Sequence, residues 1–228
     1  IEDSNPLKKS LSTFYGLWTI LSHLDNKNHL LSNDKGMKII SFLNKINYPE
    51  SISYDNSDFT KLRMERFEIA ENHLYNVNFS FTQIWNCDWS SLLITACNFD
   101  SVNMNSSHFC EVEMMDLLLS TGTIHFCFFQ SMNFINVVFF EIEFMDLNVL
   151  YSEFENSKFE ECTFSDTIFR GANSEYPTLF SNVEFKNCTF DEVIFRRTVF
   201  KNCPKINFEE LKEQGVIFIN CTNDGEEI

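Results

Sequence analysis

Six glycines and four prolines in 228 residues are too few for a collagen-like or low-complexity chain. Eight cysteines include no C-x-x-C pair, and five histidines include no H-x-x-x-H spacing, so no zinc site is signalled. A nucleophile elbow, a phosphate-cradling glycine loop and a dinucleotide fingerprint are all missing. Positive charge is scarce: 17 Lys and Arg stand against 33 Asp and Glu, a net charge of −16, and no basic residue falls between Arg66 and Lys158. That balance disfavours direct binding to nucleic-acid phosphates or anionic lipid, both of which need cations. Nor is there a membrane span. Leu117 to Phe140 has no Lys, Arg, Asp or Glu, but Ser120, Thr121, Thr123, His125, Gln130, Asn133 and Asn136 make it too polar for the roughly 20-residue apolar run that crosses a bilayer. A start at Ile1 rather than Met is expected of a trimmed piece of a longer protein.

What the chain has in excess is phenylalanine, 26 residues, placed with a beat. In SEFENSKFEECTFSDTIF, Phe154, Phe159, Phe164 and Phe169 recur every fifth residue, and Ser152, Ser157, Cys162 and Thr167 stand two places before them. A helix repeats its buried face every 3.6 residues and a strand every 2, so a period of five calls for a repeat architecture. The same beat runs unbroken from Phe59 to Phe169, always on an apolar residue, with Trp89, Val149 and several Ile, Leu and Met among the phenylalanines. It breaks at GANSEYPTL, where Gly171 and Pro177 mark a loop, and resumes one residue out of phase at Phe180, Phe185, Phe190, Phe195 and Phe200.

Three segments follow from this beat. Residues 1–52 carry helical spacing instead (Leu7, Leu11, Phe14, Trp18, Leu21; then Met37, Ile40, Leu43) and are expected to form a helical cap. Residues 53–203 hold the repeats, with loop 171–179 inserted. Residues 204–228 are expected to give a short helical cap near Asn207 to Leu211, a last strand near Val216 to Phe218 and a frayed acidic tail.

Motifs such as FENSKFEECTF and FKNCTFDEVIFRRTVF resemble the pentapeptide-repeat family over about residues 55 to 203. The resemblance implies an all-β solenoid, a right-handed quadrilateral β-helix with four pentapeptides per coil. Twenty-eight centres then give seven coils, stacked over roughly 34 Å at the spacing of paired strands. Many members of the family place alanine in the slot two before the centre. This chain often uses larger residues there, and Phe67 and Asn72 fit it poorly, so distorted early coils are expected.

In such a coil Cys87, Cys97, Cys127, Cys162, Cys188 and Cys203 occupy inward slots and read as small packing residues, while Cys110 and Cys221 are expected to be the exposed thiols. His108 falls one coil above Asp88, close enough to hydrogen-bond it. The acids between Arg66 and Lys158 spread over all four sides. Outward apolar residues are the sharper anomaly: Leu118, Phe126, Phe128, Val138, Phe140 and Met145 all take outward places in the central coils, where contiguous apolar surface marks an interface.

The expected function is a non-enzymatic protein-interaction module, with those six residues and Glu175 and Tyr176 of the loop as the partner-binding set. No catalytic, metal or cofactor residues are assigned. The expected partner is a protein, including a second copy of the chain, with no direct contact to nucleic acid. The resemblance implies settings as a cytoplasmic protein, a secreted bacterial effector or the repeat portion of a larger protein. Two alternatives are a DNA mimic acting on a type II topoisomerase and a lumenal receptor-like domain glycosylated at sequons such as Asn187-Cys188-Thr189.

Overall fold

The computed structural model describes residues 55–173, 175–204, 215–223 and 226–227. The expected N-terminal helical cap, and the helical turn expected near Asn207, lie outside the described residues, which contain no helix.

Every strand of the repeat pairs in parallel with the segment one coil away. Glu68 aligns with Asp88, Asp88 with His108 and His108 with Phe128, each a step of twenty residues. Four pentapeptides therefore close one coil, and the chain has four sides. Their centres, in chain order, are Phe59, Phe79, Phe99, Leu119, Phe139, Phe159 and Phe185 on side A. Side B carries Met64, Ile84, Met104, Ile124, Phe144, Phe164 and Phe190. Side C carries Ile69, Trp89, Phe109, Phe129, Val149, Phe169 and Phe195. On side D, Leu74, Ile94, Met114, Phe134, Phe154, Phe180 and Phe200 are followed by an eighth centre, Phe218, in strand Ile217–Ile219.

Across the loop the step becomes twenty-six, as Glu153 aligns with Leu179 and Ile168 with Ile194. The insertion thus adds six residues at the corner between sides C and D without disturbing the ladder. The acidic tail is not simply frayed: Thr222–Asn223 pairs antiparallel with Glu226–Glu227.

The corners explain why five residues make one unit. The residue two after every centre but Phe169 turns the chain with a left-handed φ near +50°, from Lys61 through to Asn202 and Asn220, as does Asn56 ahead of them. An L residue there costs roughly 1 kcal/mol, and asparagine tolerates it best. One corner, between sides D and A, is accordingly rich in asparagine: Asn56, Asn76, Asn136, Asn156, Asn182, Asn202 and Asn220, interrupted by Ala96 and Asp116. Their side chains bond coil to coil, as in Asn76 Nδ2 to Asn56 Oδ1 at 2.8 Å and Asn182 Nδ2 to Asn156 Oδ1 at 2.9 Å. Elsewhere the strain is held by backbone bonds at each corner, such as Asp166 N to Asp191 O at 3.0 Å.

The core is a single column of inward centres and slots. The expected distortion of the early coils is not found: pairing keeps the twenty-residue step from Asp58 onward. On side C volume is exchanged within the unit instead. On side C the large slots Phe67 and Leu147 precede the smaller centres Ile69 and Val149. The small slots Cys87, Ser107, Cys127 and Thr167 precede Trp89, Phe109, Phe129 and Phe169, and all of these are buried. On this side a large slot is offset by a smaller centre, because a close-packed interior tolerates neither void nor excess. Gly122 on side B answers to a different limit, the close approach of the backbone one coil below: a Cβ added there would lie 2.2 Å from the Val102 carbonyl oxygen.

Candidate interaction surface

With the inward places filled by core, contact with another molecule falls to outward positions and corners. Leu118 and Val138 stand side by side on side A in paired strands, with Phe140 on the same strand as Val138. Leu118 is 52% exposed, while Val138 and Phe140 are half-buried. Met145, 37% exposed, lies on side B, and Phe126, 57% exposed, sits at the corner between sides B and C. The Phe126 ring stacks on His125 with centroids 3.9 Å apart, and His125 Nε2 lies 3.2 Å from Asp146 Oδ2. Phe128 begins side C, half-buried, its ring 5.0 Å from that of His108.

These six residues do not form one flat patch. Polar Thr123 and Glu143, paired on side B, stand between Phe140 and Met145. The Leu118–Val138–Phe140 group and the Met145–Phe126–Phe128 group therefore wrap opposite ends of side B. Glu175 and Tyr176 lie on neither, since their loop leaves the corner between sides C and D. Tyr176 is 64% exposed. The loop is tied by its own polar groups: Asn173 Oδ1 accepts from the backbone of Glu175 at 2.8 Å and of Tyr176 at 3.0 Å, and Arg197 donates to the Ala172 carbonyl at 2.6 Å. Gly171 opens it where a Cβ would meet the Arg197 carbonyl oxygen at 2.5 Å and the Pro177 Cα at 2.6 Å.

The thiols in the inward slots are structural. Cys87 donates to the Met64 carbonyl, Cys97 to Leu74, Cys162 to Phe139 and Cys203 to Phe180, all between 3.2 and 3.4 Å. Ser157 plays the same part with a hydroxyl, donating to the Glu155 carbonyl at 3.0 Å and accepting from the Val137 amide at 3.1 Å. A small side chain with one donor suits this slot because it satisfies corner carbonyls that would otherwise be buried unpaired. Burial pushes Cys97 and Cys203 up to about 11 and Cys127 to about 12, so they remain thiols at neutral pH. A hydrogen bond with Cys188, and then burial, raises Cys162 further.

Two expectations about polar residues change. Cys221 is fully buried rather than exposed, because the chain re-enters the five-residue frame at Val216 and makes Cys221 the next inward slot. His108 approaches Asp88 only to 3.8 Å, beyond hydrogen-bond reach, and packs on Phe128 instead. The acids are dispersed as expected, with Asp100 on side A, Glu143 on side B, Asp88 on side C and Glu113 on side D.

Sequence reasoning missed the asparagine corner and also a repeated DTIFR and EVIFR on side C. Both carried a signal. The first keeps the twenty-residue step from Asn56 to Asn76 and from Asn136 to Asn156, and the second was hidden because the loop changes the step to twenty-six.

No family model and no curated protein matches this chain. Among solved structures it is similar to QnrB1, a plasmid-mediated fluoroquinolone resistance protein, at 10% identity and a TM-score of 0.34 over 70% of this chain and 80% of that one. A pentapeptide repeat protein, Rfr23, from the cyanobacterium Cyanothece 51142 matches at 10% identity and a TM-score of 0.22, covering 62% of this chain and 89% of that one. HetL, a pentapeptide repeat protein involved in heterocyst differentiation regulation in Nostoc sp. strain PCC 7120, matches at 6% identity and a TM-score of 0.22 over 82% and 91%. Overlap this low carries no argument, and the fold rests on the pairing register above.

Proposed function

From the premise that this chain is built as a pentapeptide-repeat β-solenoid, we propose that it acts as a non-enzymatic module that binds a protein partner through the outside of its central coils. The observation that carries this reading is the apolar exterior at Leu118, Phe126 and Met145 in a chain otherwise rich in carboxylates. Leu118 and Val138 gain nothing from the core column, since their side chains point away from it. Covering them with a partner removes apolar area from water, worth about 25 cal/mol per Å² before the costs of association. The Phe126 ring, stacked on His125, supplies an aromatic anchor of the type that dominates binding energy at interfaces.

The test is association before and after Leu118→Glu combined with Val138→Glu, read by sedimentation and by capture of a partner already identified with the parent protein. The expected result is weaker association with an unchanged unfolding midpoint. Unaltered association in a folded variant would reject this surface.

A further inference from the structure

Side C of the last two coils carries three parallel columns. At the corner entering it stand Asp166 and Glu192, both exposed and both at left-handed φ. Next come Ile168 and Ile194, half-buried, and then Arg170 and Arg196, exposed, each pair aligned in register across the ladder. Within one chain this arrangement is unfavourable. Like charges face each other directly across paired strands, a destabilising placement, and no ion pair joins these carboxylates to these guanidinium groups among the described residues.

We infer that this face is a self-complementary interface for a second copy of the chain. Acid, apolar and basic columns in that order allow only one face-to-face pairing. If a twofold axis runs parallel to the solenoid axis close to the isoleucines, left and right are exchanged between the two copies while height along the solenoid is kept. Ile168 and Ile194 then meet their own counterparts, Asp166 faces the partner's Arg170, and Glu192 faces the partner's Arg196. Symmetry doubles each ion pair. A twofold axis across the coils would instead set acid against acid and arginine against arginine, so the columns select a parallel, side-by-side dimer.

The occupant is fixed by spacing as well as by sign. Charges that rise by one strand spacing, about 4.8 Å, are matched by another solenoid with the same rise, and closed pairing of one patch on itself is the commonest symmetry of homo-oligomers. Unlike the central apolar surface, this one is built on charge, so either can fail without the other.

The test is a charge swap in the full chain, read by sedimentation equilibrium. One variant carries Arg170→Glu and Arg196→Glu; the other carries Asp166→Lys and Glu192→Lys. The parent is expected to dimerise more tightly at about 0.05 M than at about 0.5 M salt. Each variant alone is expected to associate on the order of tenfold more weakly or less, and an equimolar mixture of the two to recover a heterodimer. Unfolding midpoints confirm that both variants fold. A parent that stays monomeric up to roughly 0.1 mM, variants that dimerise like the parent, or a mixture that does not recover would each overturn the proposal.

Discussion

The coils up to Phe129 and those from Phe134 onward solve the same packing problem with different side chains. In the early coils rings meet at unlike angles: Phe59 and Phe79 are inclined at 34°, Phe79 and Phe99 at 15°, Trp89 and Phe109 at 60°, Phe109 and Phe129 at 84°. In the late coils one residue type stacks in parallel. Phe139, Phe159 and Phe185 follow at 4.5 and 4.9 Å with 4° between planes, and Phe144, Phe164 and Phe190 at 4.7 and 5.0 Å with 6° and 2°. Those separations reproduce the spacing of paired strands, which exceeds the thickness of a ring. The rings must therefore tilt into the offset stack that aromatic pairs prefer. Side C fits by exchanging volume between slot and centre, and the late coils of the other sides by repeating one interlocking shape.

The largest expected effect breaks the late ladder. Phe159→Ala removes a fully buried ring with a parallel neighbour above and below, and should cost about 3–5 kcal/mol in denaturant unfolding. A second substitution sharpens the contrast by extending the ladder into the one gap on side C, where Val149 interrupts Phe129, Phe169 and Phe195. Val149→Phe alone is expected to cost roughly 1–3 kcal/mol, because Leu147 already fills the slot. Adding Leu147→Thr, as in the unit holding Thr167 and Phe169, should recover most of that loss. A double variant no better than the single one would refute the exchange of volume.

Smaller effects come from pH. Burial holds Cys97, Cys127 and Cys203 above their ordinary value of 9.0, to about 11, 12 and 11. The sign is that of a raised folded-state value: the contribution is complete below pH 9, where folded and unfolded thiols are both neutral. It is lost as pH rises toward 11 and 12, because only the unfolded chain ionises readily. The unfolding midpoint should fall over that window, and Cys127→Val should lessen the fall. The smallest effect belongs to Glu160, whose carboxyl is held below the usual range by hydrogen bonds from Lys158 and Lys186. A depressed carboxylate contributes above its unfolded-state value and loses that contribution as pH drops through the lowered one. Glu160→Gln should therefore be slightly less stable than the parent at neutral pH and indistinguishable from it in acid.

Much of this was legible in the sequence because the period is. The regular recurrence of apolar centres located the core before any geometry, and the slot position of Cys162 marked it as packing rather than chemistry. Cys221 was misread because it follows a segment without the beat, so its return to frame could be seen only from the pairing of Phe200 with Phe218. The candidate surfaces were legible only in part. Outward placement of Leu118 and Val138, with Met145 and Phe126 around the corner from them, follows from counting, but that Leu118, Phe126 and Met145 stay exposed while Val138, Phe140 and Phe128 are half-buried depends on their neighbours in adjacent coils. The columns on side C escaped because counting by twenty fails across a six-residue insertion.

If the inward five-residue column is the core, the apolar residues outside it do not hold the fold together and are left for the partner we propose. The most direct test compares unfolding midpoints of the parent, Phe159→Ala, and Leu118→Glu combined with Phe126→Glu. The outer pair should stay within about 0.5 kcal/mol of the parent, while the core variant loses several times that. An outer pair as destabilising as Phe159→Ala would contradict the claim, because it would place those side chains in the core.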